Sequence, residues 1–312
     1  MSEFNPESFI QEKVEWLRKE IGEERAVVAV SGGVDSMTTA VLGSKAVGRQ
    51  LLAIFLDDGL MREGEEKQVT GILRKLGVEV KAEKVADEFF KALRGKTDPE
   101  EKRVAFREAF YSCLSRLVQK NKASILLQGT IAADVVETKG KIKTQHNVLE
   151  QIGINPLEKY GYRVLEPLKE LYKPQVREVA RKLGLPPEVT ERRPFPGPGL
   201  AVRVLGEVTR ERVELVRKAT KIVEEETKNI PCFQAFAVLM EDQATGVVKG
   251  KRRYGPIVTV RVVASEDAMK AQAVQLPWDV LERITQRIVS ELPVVRVLYD
   301  LTPKPPATIE FE

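Results

Sequence analysis

Histidine occurs once in this chain of 312 residues and cysteine twice. That scarcity removes whole classes of chemistry. No His/Cys metal set can be assembled, and Cys113 and Cys232 lie too far apart to form a redox pair. Cys113 falls in a helical pattern and reads as a small buried hydrophobe. No apolar run reaches membrane-spanning length. The start, Met-Ser-Glu-Phe-Asn-Pro-Glu, has neither the basic flank nor the apolar stretch of a signal peptide, so a cytoplasmic protein is expected. Charge of one sign is also in short supply: 50 Lys plus Arg stand against 46 Asp plus Glu, for a net charge of +4. A balance this small does not by itself attract nucleic acid, and neither a nucleic-acid nor a membrane partner is expected. The length exceeds the usual single domain and predicts two, each large enough for its own core.

What is present is a short motif. Ser31-Gly32-Gly33-Val34-Asp35-Ser36 follows the apolar run Ala26 to Val30 and precedes Met37 to Leu42, which reads as strand, glycine turn and helix start. Such a turn points backbone N–H groups, the hydroxyls of Ser31 and Ser36 and the positive end of a helix dipole at one spot, an arrangement suited to phosphate. A Walker loop is excluded because its spacing and its lysine are missing, and the three-glycine dinucleotide fingerprint is missing too. Asp35 places a carboxylate beside the anion, which makes electrostatic sense with a hard cation such as Mg²⁺ between them. A plain Gly-Gly turn is the bland alternative; the strand, both serines and the aspartate together favour the phosphate site. The hexamer resembles the signature of the ATP pyrophosphatases, the PP-loop family, whose members split ATP between its α and β phosphates and hold the departing pyrophosphate in the loop.

After an amphipathic helix around Phe9 to Ile21, apolar runs at Ala26 to Val30, Leu51 to Leu56, Val78 to Val85, Ser124 to Leu127 and Arg163 to Leu165 alternate with helical patterns at Glu65 to Leu76, Glu100 to Lys120 and Pro174 to Leu183. The alternation predicts a doubly wound α/β fold with a mostly parallel sheet. Ligands in such a sheet bind at the carboxyl ends of the strands, where the glycine loop, Asp57-Asp58-Gly59 and Gln128-Gly129-Thr130 all fall. The basic stretch Thr138 to Asn147 has no clear period and reads as a mobile loop, a candidate lid. A run of prolines and glycines from Arg192 to Leu200 marks the expected boundary, giving domains 1–191 and 192–312. Beyond it a helix from Thr209 to Thr227, strand-like runs at Gln234 to Met240, Ile257 to Val263 and Val294 to Leu298, and a helix from Trp278 to Glu291 predict a smaller α+β module.

The second half narrows the family. Arg193-Pro-Phe-Pro-Gly-Pro-Gly-Leu200, Val202-Arg-Val-Leu-Gly-Glu-Val208, Lys304-Pro-Pro-Ala-Thr-Ile-Glu-Phe-Glu312 and Gln128-Gly-Thr130 with Asp134-Val-Val-Glu137 resemble the GMP synthetase family, and the resemblance runs from the glycine loop to the last residue. It implies a PP-loop domain of the adenine nucleotide alpha hydrolase type followed by a dimerisation domain, hence a homodimer. It also implies a reaction in which ATP adenylates the C2 oxygen of xanthosine monophosphate (XMP), pyrophosphate leaves, and ammonia displaces AMP to give GMP. Carried over by motif, Ser31, Gly32, Gly33, Val34, Asp35, Ser36, Gly129 and Thr130 would bind ATP and its pyrophosphate, with Asp35 and, more weakly, Asp134 near Mg²⁺. Asp35 and the lid residue Lys143 are the catalytic candidates, and Arg103, Lys143, Gln234, Arg296, Lys304, Ile309 and Glu310 the XMP candidates.

Many members of that family carry an N-terminal glutaminase domain with a nucleophilic cysteine. Here the one histidine and two cysteines form no such dyad, so ammonia is expected from a separate glutaminase subunit, with free ammonium as a slower source. The lid departs from the family pattern of two histidines and a Gly-Gly turn, reading Gln145-His146-Asn147-Val148-Leu149-Glu150. Arg192-Arg193 and Lys249 to Arg253 are candidate anion patches, with a solvated charged loop as the plainer reading of the second. A tRNA-modifying pyrophosphatase would share the glycine loop but needs more basic surface and usually working cysteines; a nucleotide sensor would bind ATP and release nothing.

Overall fold

A computed structural model describes residues 4–134, 157, 161–248, 250–266 and 268–312. Two compact units emerge: one of residues 1–57, 64–85 and 110–192, the other of residues 58–63, 86–109 and 193–312. The chain therefore passes between units at Asp57/Asp58, Glu63/Gly64, Val85/Ala86, Ala109/Phe110 and, last, Arg192/Arg193.

In the first unit α1 (Pro6–Ile21) begins where the Asn5 side chain accepts from the N–H groups of Glu7 and Ser8 at 3.0 and 3.1 Å, with Pro6 in the first turn where its missing donor costs nothing. The strands β1 (Ala26–Val30), β2 (Leu51–Asp57), β3 (Val80–Lys84), β4 (Ile125–Leu127) and β5 (Arg163–Leu165) form one sheet in the order β3-β2-β1-β4-β5, parallel throughout. The apolar runs of β1 and β2 are near-continuous because a parallel sheet is covered on both faces. Helices α2 (Val34–Val47), α3 (Glu65–Lys75), the carboxyl part of α5 (Pro99–Lys120), α6 (Lys173–Lys182) and the single turn α7 (Pro187–Thr190) belong to this unit, whereas α4 (Ala86–Leu93) belongs to the second. Strand order reverses between β1 and β4, the position at which doubly wound sheets open a crevice for ligand.

In the second unit, α8 (Arg210–Glu226), β6 (Gln234–Val248), β7 (Lys251–Ala264), β8 (Gln272–Ala273), α9 (Trp278–Glu291) and β9 (Arg296–Tyr299) follow in turn. The sheet is antiparallel through β6-β7-β8, and β9 runs parallel to β7. Both hairpin strands outrun the predicted apolar stretches, pairing from Gln243↔Pro256 to Val248↔Lys251 beyond a register shift. Of the basic cluster, Lys251, Arg252 and Arg253 are therefore exposed residues of a hairpin strand rather than of a loop, while Lys249 lies outside the described residues. The Pro-Phe-Pro-Gly-Pro-Gly run is packed in place: Gly199 has φ +62°, a Cβ there would stand 2.5 Å from the Leu60 carbonyl oxygen, and that oxygen accepts from Leu200 N–H at 2.8 Å.

Candidate active site

The hexamer occupies the turn from β1 into α2. Gly32 takes φ +80°, and Gly33, extended at φ −70° and ψ 147°, caps the helix, so Val34, Asp35 and Ser36 form its first turn. Helical geometry gives the first N–H groups of α2 no intrahelical partner and concentrates partial positive charge there. Ser31 and Ser36 face each other, with their hydroxyls 3.3 Å apart; Ser31 N–H donates to Ser36 Oγ at 3.2 Å, and that hydroxyl donates to Gly33 O at 3.1 Å. Behind the turn lies an ion pair: Arg192 Nη2 donates to Glu65 Oε2 at 2.7 Å and Nη1 donates to Gly32 O at 3.3 Å, with Glu65 only 3% exposed. A Cβ on Gly32 would press on the tips of Glu65 and Arg192 and stand 2.8 Å from Val69 Cγ2, and at φ +80° any side chain is strained, so it is the backbone conformation that calls for glycine. Gly129 follows β4, the strand beside β1, and a Cβ there would lie 2.9 Å from the Asp35 carbonyl carbon. Thr130, fully buried, accepts from Gln128 Nε2 at 3.3 Å.

Asp35 is the carboxylate of the turn. Its Oδ2 accepts from Lys173 Nζ, the first residue of α6, at 2.5 Å. Its Oδ1 is buried without a hydrogen-bond partner. A buried carboxylate oxygen left open next to a helix N-terminus is an acceptor awaiting a donor or a hard cation. Asp134 instead accepts from the Ile131 N–H at 2.9 Å, shaping the turn after β4, and no group of three or more His, Cys, Asp or Glu side chains converges as a metal cluster among the described residues.

The second unit gathers some of the nucleotide candidates and leaves one apart. Gln234, at the start of β6 and 5% exposed, donates from Nε2 to Pro194 O at 3.1 Å, while its Oε1 has no partner. Glu310 is held by a bidentate pair with Arg203, whose guanidinium lies over Phe236 and Phe195. Lys304 donates to Ala268 O at 2.7 Å, and Ile309 O accepts from Arg261 Nε at 2.9 Å. Arg103 sits on α5, beside buried Lys102, and its guanidinium reaches Glu100 at 3.5 Å. Arg296 does not join them. It pairs with Ile257 of β7, whereas Gln234 pairs with Val263, six residues further along that strand and therefore about 20 Å away.

The two halves match two family models: the PP-loop domain over residues 6–186 and the GMP synthase C terminal domain over residues 220–311. One subunit of the glutamine-hydrolyzing GMP synthase of Methanopyrus kandleri is 52% identical, covering 99% of this chain and 100% of its own. Proteins of the same name from Methanocaldococcus jannaschii and Thermococcus kodakarensis are each 49% identical, with 99% and 98% of this chain covered and 100% and 99% of theirs. The chain belongs to the GMP synthase family. It is accordingly an enzyme of GMP synthesis with an ATP-utilising PP-loop domain.

Within this GMP synthase framework, several expectations acquire an address. Lys143, Gln145 and His146 of the candidate lid lie outside the described residues. Arg192 and Arg193 are not an open anion patch: the first is committed to Glu65 and Gly32, and the second donates to Thr227 Oγ1, Thr227 O and Ile230 O at 3.0, 2.6 and 3.1 Å. Lys173 escapes a reading of the sequence because it stands 138 residues from Asp35, and only the fold brings them together. Its position at the start of a helix after the last sheet strand, at the same end of the sheet as the glycine loop, was the available signal.

Proposed function

We propose that this chain converts XMP to GMP by holding the β and γ phosphates of ATP in the turn after β1. Cleavage between the α and β phosphates then adenylates the C2 oxygen of XMP, and ammonia displaces AMP. The observation that carries the reading is the set formed by Asp35, with its buried open oxygen, the facing hydroxyls of Ser31 and Ser36 and the first turn of α2. The backbone N–H groups and the hydroxyls would bind the departing pyrophosphate, so charge that builds on it is stabilised while the α phosphate stays open to in-line attack. No covalent protein nucleophile is needed. Lys173 would neutralise Asp35 and stand beside the phosphates as a point charge. Val34, Gly129 and Thr130 shape the wall of the cradle.

Asp35, through Oδ1, is the residue fitted to hold Mg²⁺, with Asp134 a second candidate; when bound, the ion would neutralise charge that builds on the departing pyrophosphate. Arg103, Gln234, Lys304, Ile309 and Glu310, with Lys143, are the residues we assign to XMP, Arg296 being left out because it stands apart from Gln234 along β7, and a lid carrying Lys143 would keep water from the adenylated purine. The relatives are each named as one subunit of a glutamine-hydrolyzing enzyme, which supports a separate glutaminase as the ammonia source. A homodimer through residues 192–312 and a cytoplasmic setting complete the reading; no helix among the described residues is long and apolar enough to cross a membrane.

The experiment is GMP formation by the purified chain with ATP, Mg²⁺, XMP and an ammonium salt, omitting each in turn. GMP should form only in the complete mixture, and glutamine should replace ammonium only when a glutaminase is added. Failure with ammonium would overturn the proposal.

A further inference from the structure

Burying a cation is unfavourable unless pairing and hydrogen bonds compensate for the lost water. Among the described residues, Lys102, Arg203 and Arg261 are the lysine and arginine residues that are buried, at 0%, 1% and 0% exposure. All three direct their charge at one place, the last residues of the chain. Lys102 pairs with the Glu312 carboxylate and donates to Val204 O at 2.7 Å. Arg203 forks onto Glu310 through Nε and Nη2 at 2.9 and 3.0 Å. Arg261 pairs with Asp300 and donates to the carbonyls of Thr302, Thr308 and Ile309 at 3.0, 2.7 and 2.9 Å.

Chain ends ordinarily fray. If packing alone were needed, apolar side chains would hold this one without a desolvated charge. Carboxylates forked by buried cations instead fix orientation, because a guanidinium that uses two nitrogens on one carboxylate sets the plane of that group. Arg203 is itself fixed, with its guanidinium carbon 4.1 Å from the Phe236 ring centroid and 4.9 Å from that of Phe195. Burial pushes the Glu312 carboxyl up, while the charges of Lys102 and of neighbouring Arg103 pull it down, so Arg103 lies within electrostatic reach of the chain end.

We propose that Lys102 and Arg203 are positioning residues for the nucleotide substrate: by fixing Glu312 and Glu310 they hold the last residues in one register, so that Arg103, Lys304, Ile309 and Glu310 meet XMP preorganised. The inference rests on the assignment of those residues to XMP made above. Neither Lys102 nor Arg203 touches the reacting atoms; each acts through the carboxylate it holds.

The test uses the full chain with ammonium as nitrogen donor and the variants Arg203→Lys, which keeps the charge but loses the fork, and Glu312→Gln, which keeps the shape but loses the pair. Both are expected to raise KM for XMP by about tenfold or more while KM for ATP and kcat at saturating XMP stay within about twofold. Deuterium exchange of the peptide covering residues 300–312 should quicken in both variants and slow again when XMP is added. A purely structural role would move melting temperature and both KM values together, and that result would overturn the inference. Unchanged KM for XMP, with or without quicker exchange, would overturn it alone. Absence of GMP formation by the unmodified chain would overturn the functional reading and this inference with it.

Discussion

A missing side chain at residue 129 says as much about the glycine loop as the side chains that line it. A Cβ on Gly129 would meet backbone, the Asp35 carbonyl carbon at 2.9 Å and the Ser36 nitrogen at 3.0 Å, and backbone in the first turn of a helix cannot swing aside as a flexible side chain can. Gly129→Ala is expected to push the end of β4 away from the loop, lowering stability by about 1–3 kcal/mol and cutting XMP-dependent pyrophosphate release further than the loss of folded protein explains. Thermal melts and product assays on the same preparation check both parts, and wild-type behaviour in both would refute the contact. Gly71 supplies the control: it lies inside α3 with nothing within 4 Å of its would-be Cβ, so alanine there should stabilise by about 0.5–1 kcal/mol and leave activity alone. The same logic of close approach makes Gly32 the residue between the loop and the Arg192–Glu65 pair.

At the level of elements, what could be read from the sequence was what is locally determined. The parallel strands announce themselves because both faces are covered, and the step from β1 through Gly32-Gly33 into α2 uses a few adjacent residues. The outer hairpin could not be read that way: from Gln243 to Val247 and from Lys251 to Tyr254 the strands have no buried apolar face and are mostly exposed, held by pairing across the ladder. Nor could the partners of Arg203 and Lys102, which lie 107 and 210 residues away. One pairing of this non-local kind ties α8 to α9, where Glu226 accepts from Arg283 Nε and Arg287 Nη1, each at 3.0 Å. Hydrogen bonds from Arg287 and Arg283 hold the Glu226 carboxyl below its usual value near 4.5. A group whose pKa falls on folding contributes stability that is present above the unfolded value and lost as pH falls through the folded one. Glu226→Gln should therefore lower the melting temperature by about 1–3 °C at neutral pH, with the difference from wild type shrinking below about pH 4.5. A pH-independent difference would assign the effect to packing instead.

Taken whole, the molecule divides the residues we assign to its substrates between two units: the glycine loop, Asp35 and Lys173, assigned to ATP, belong to the first, and Arg103, Gln234 and the chain end, assigned to XMP, to the second. The family assignment follows from both halves, since a PP-loop alone leaves the acceptor open and the second domain names the product. What remains physical rather than genealogical is the claim about where ATP breaks. A cradle that grips the β and γ phosphates makes pyrophosphate the leaving group and leaves the α phosphate for the acceptor, so turnover must depend on the acceptor. The measurement that tests this most directly is the identity of the phosphorus products, followed by phosphorus NMR, when the chain turns over ATP with Mg²⁺ and ammonium, with and without XMP. The account predicts equal amounts of AMP and pyrophosphate, formed only when XMP is present and abolished in Asp35→Ala; ADP with orthophosphate, or pyrophosphate released at the wild-type rate by Asp35→Ala, would contradict it.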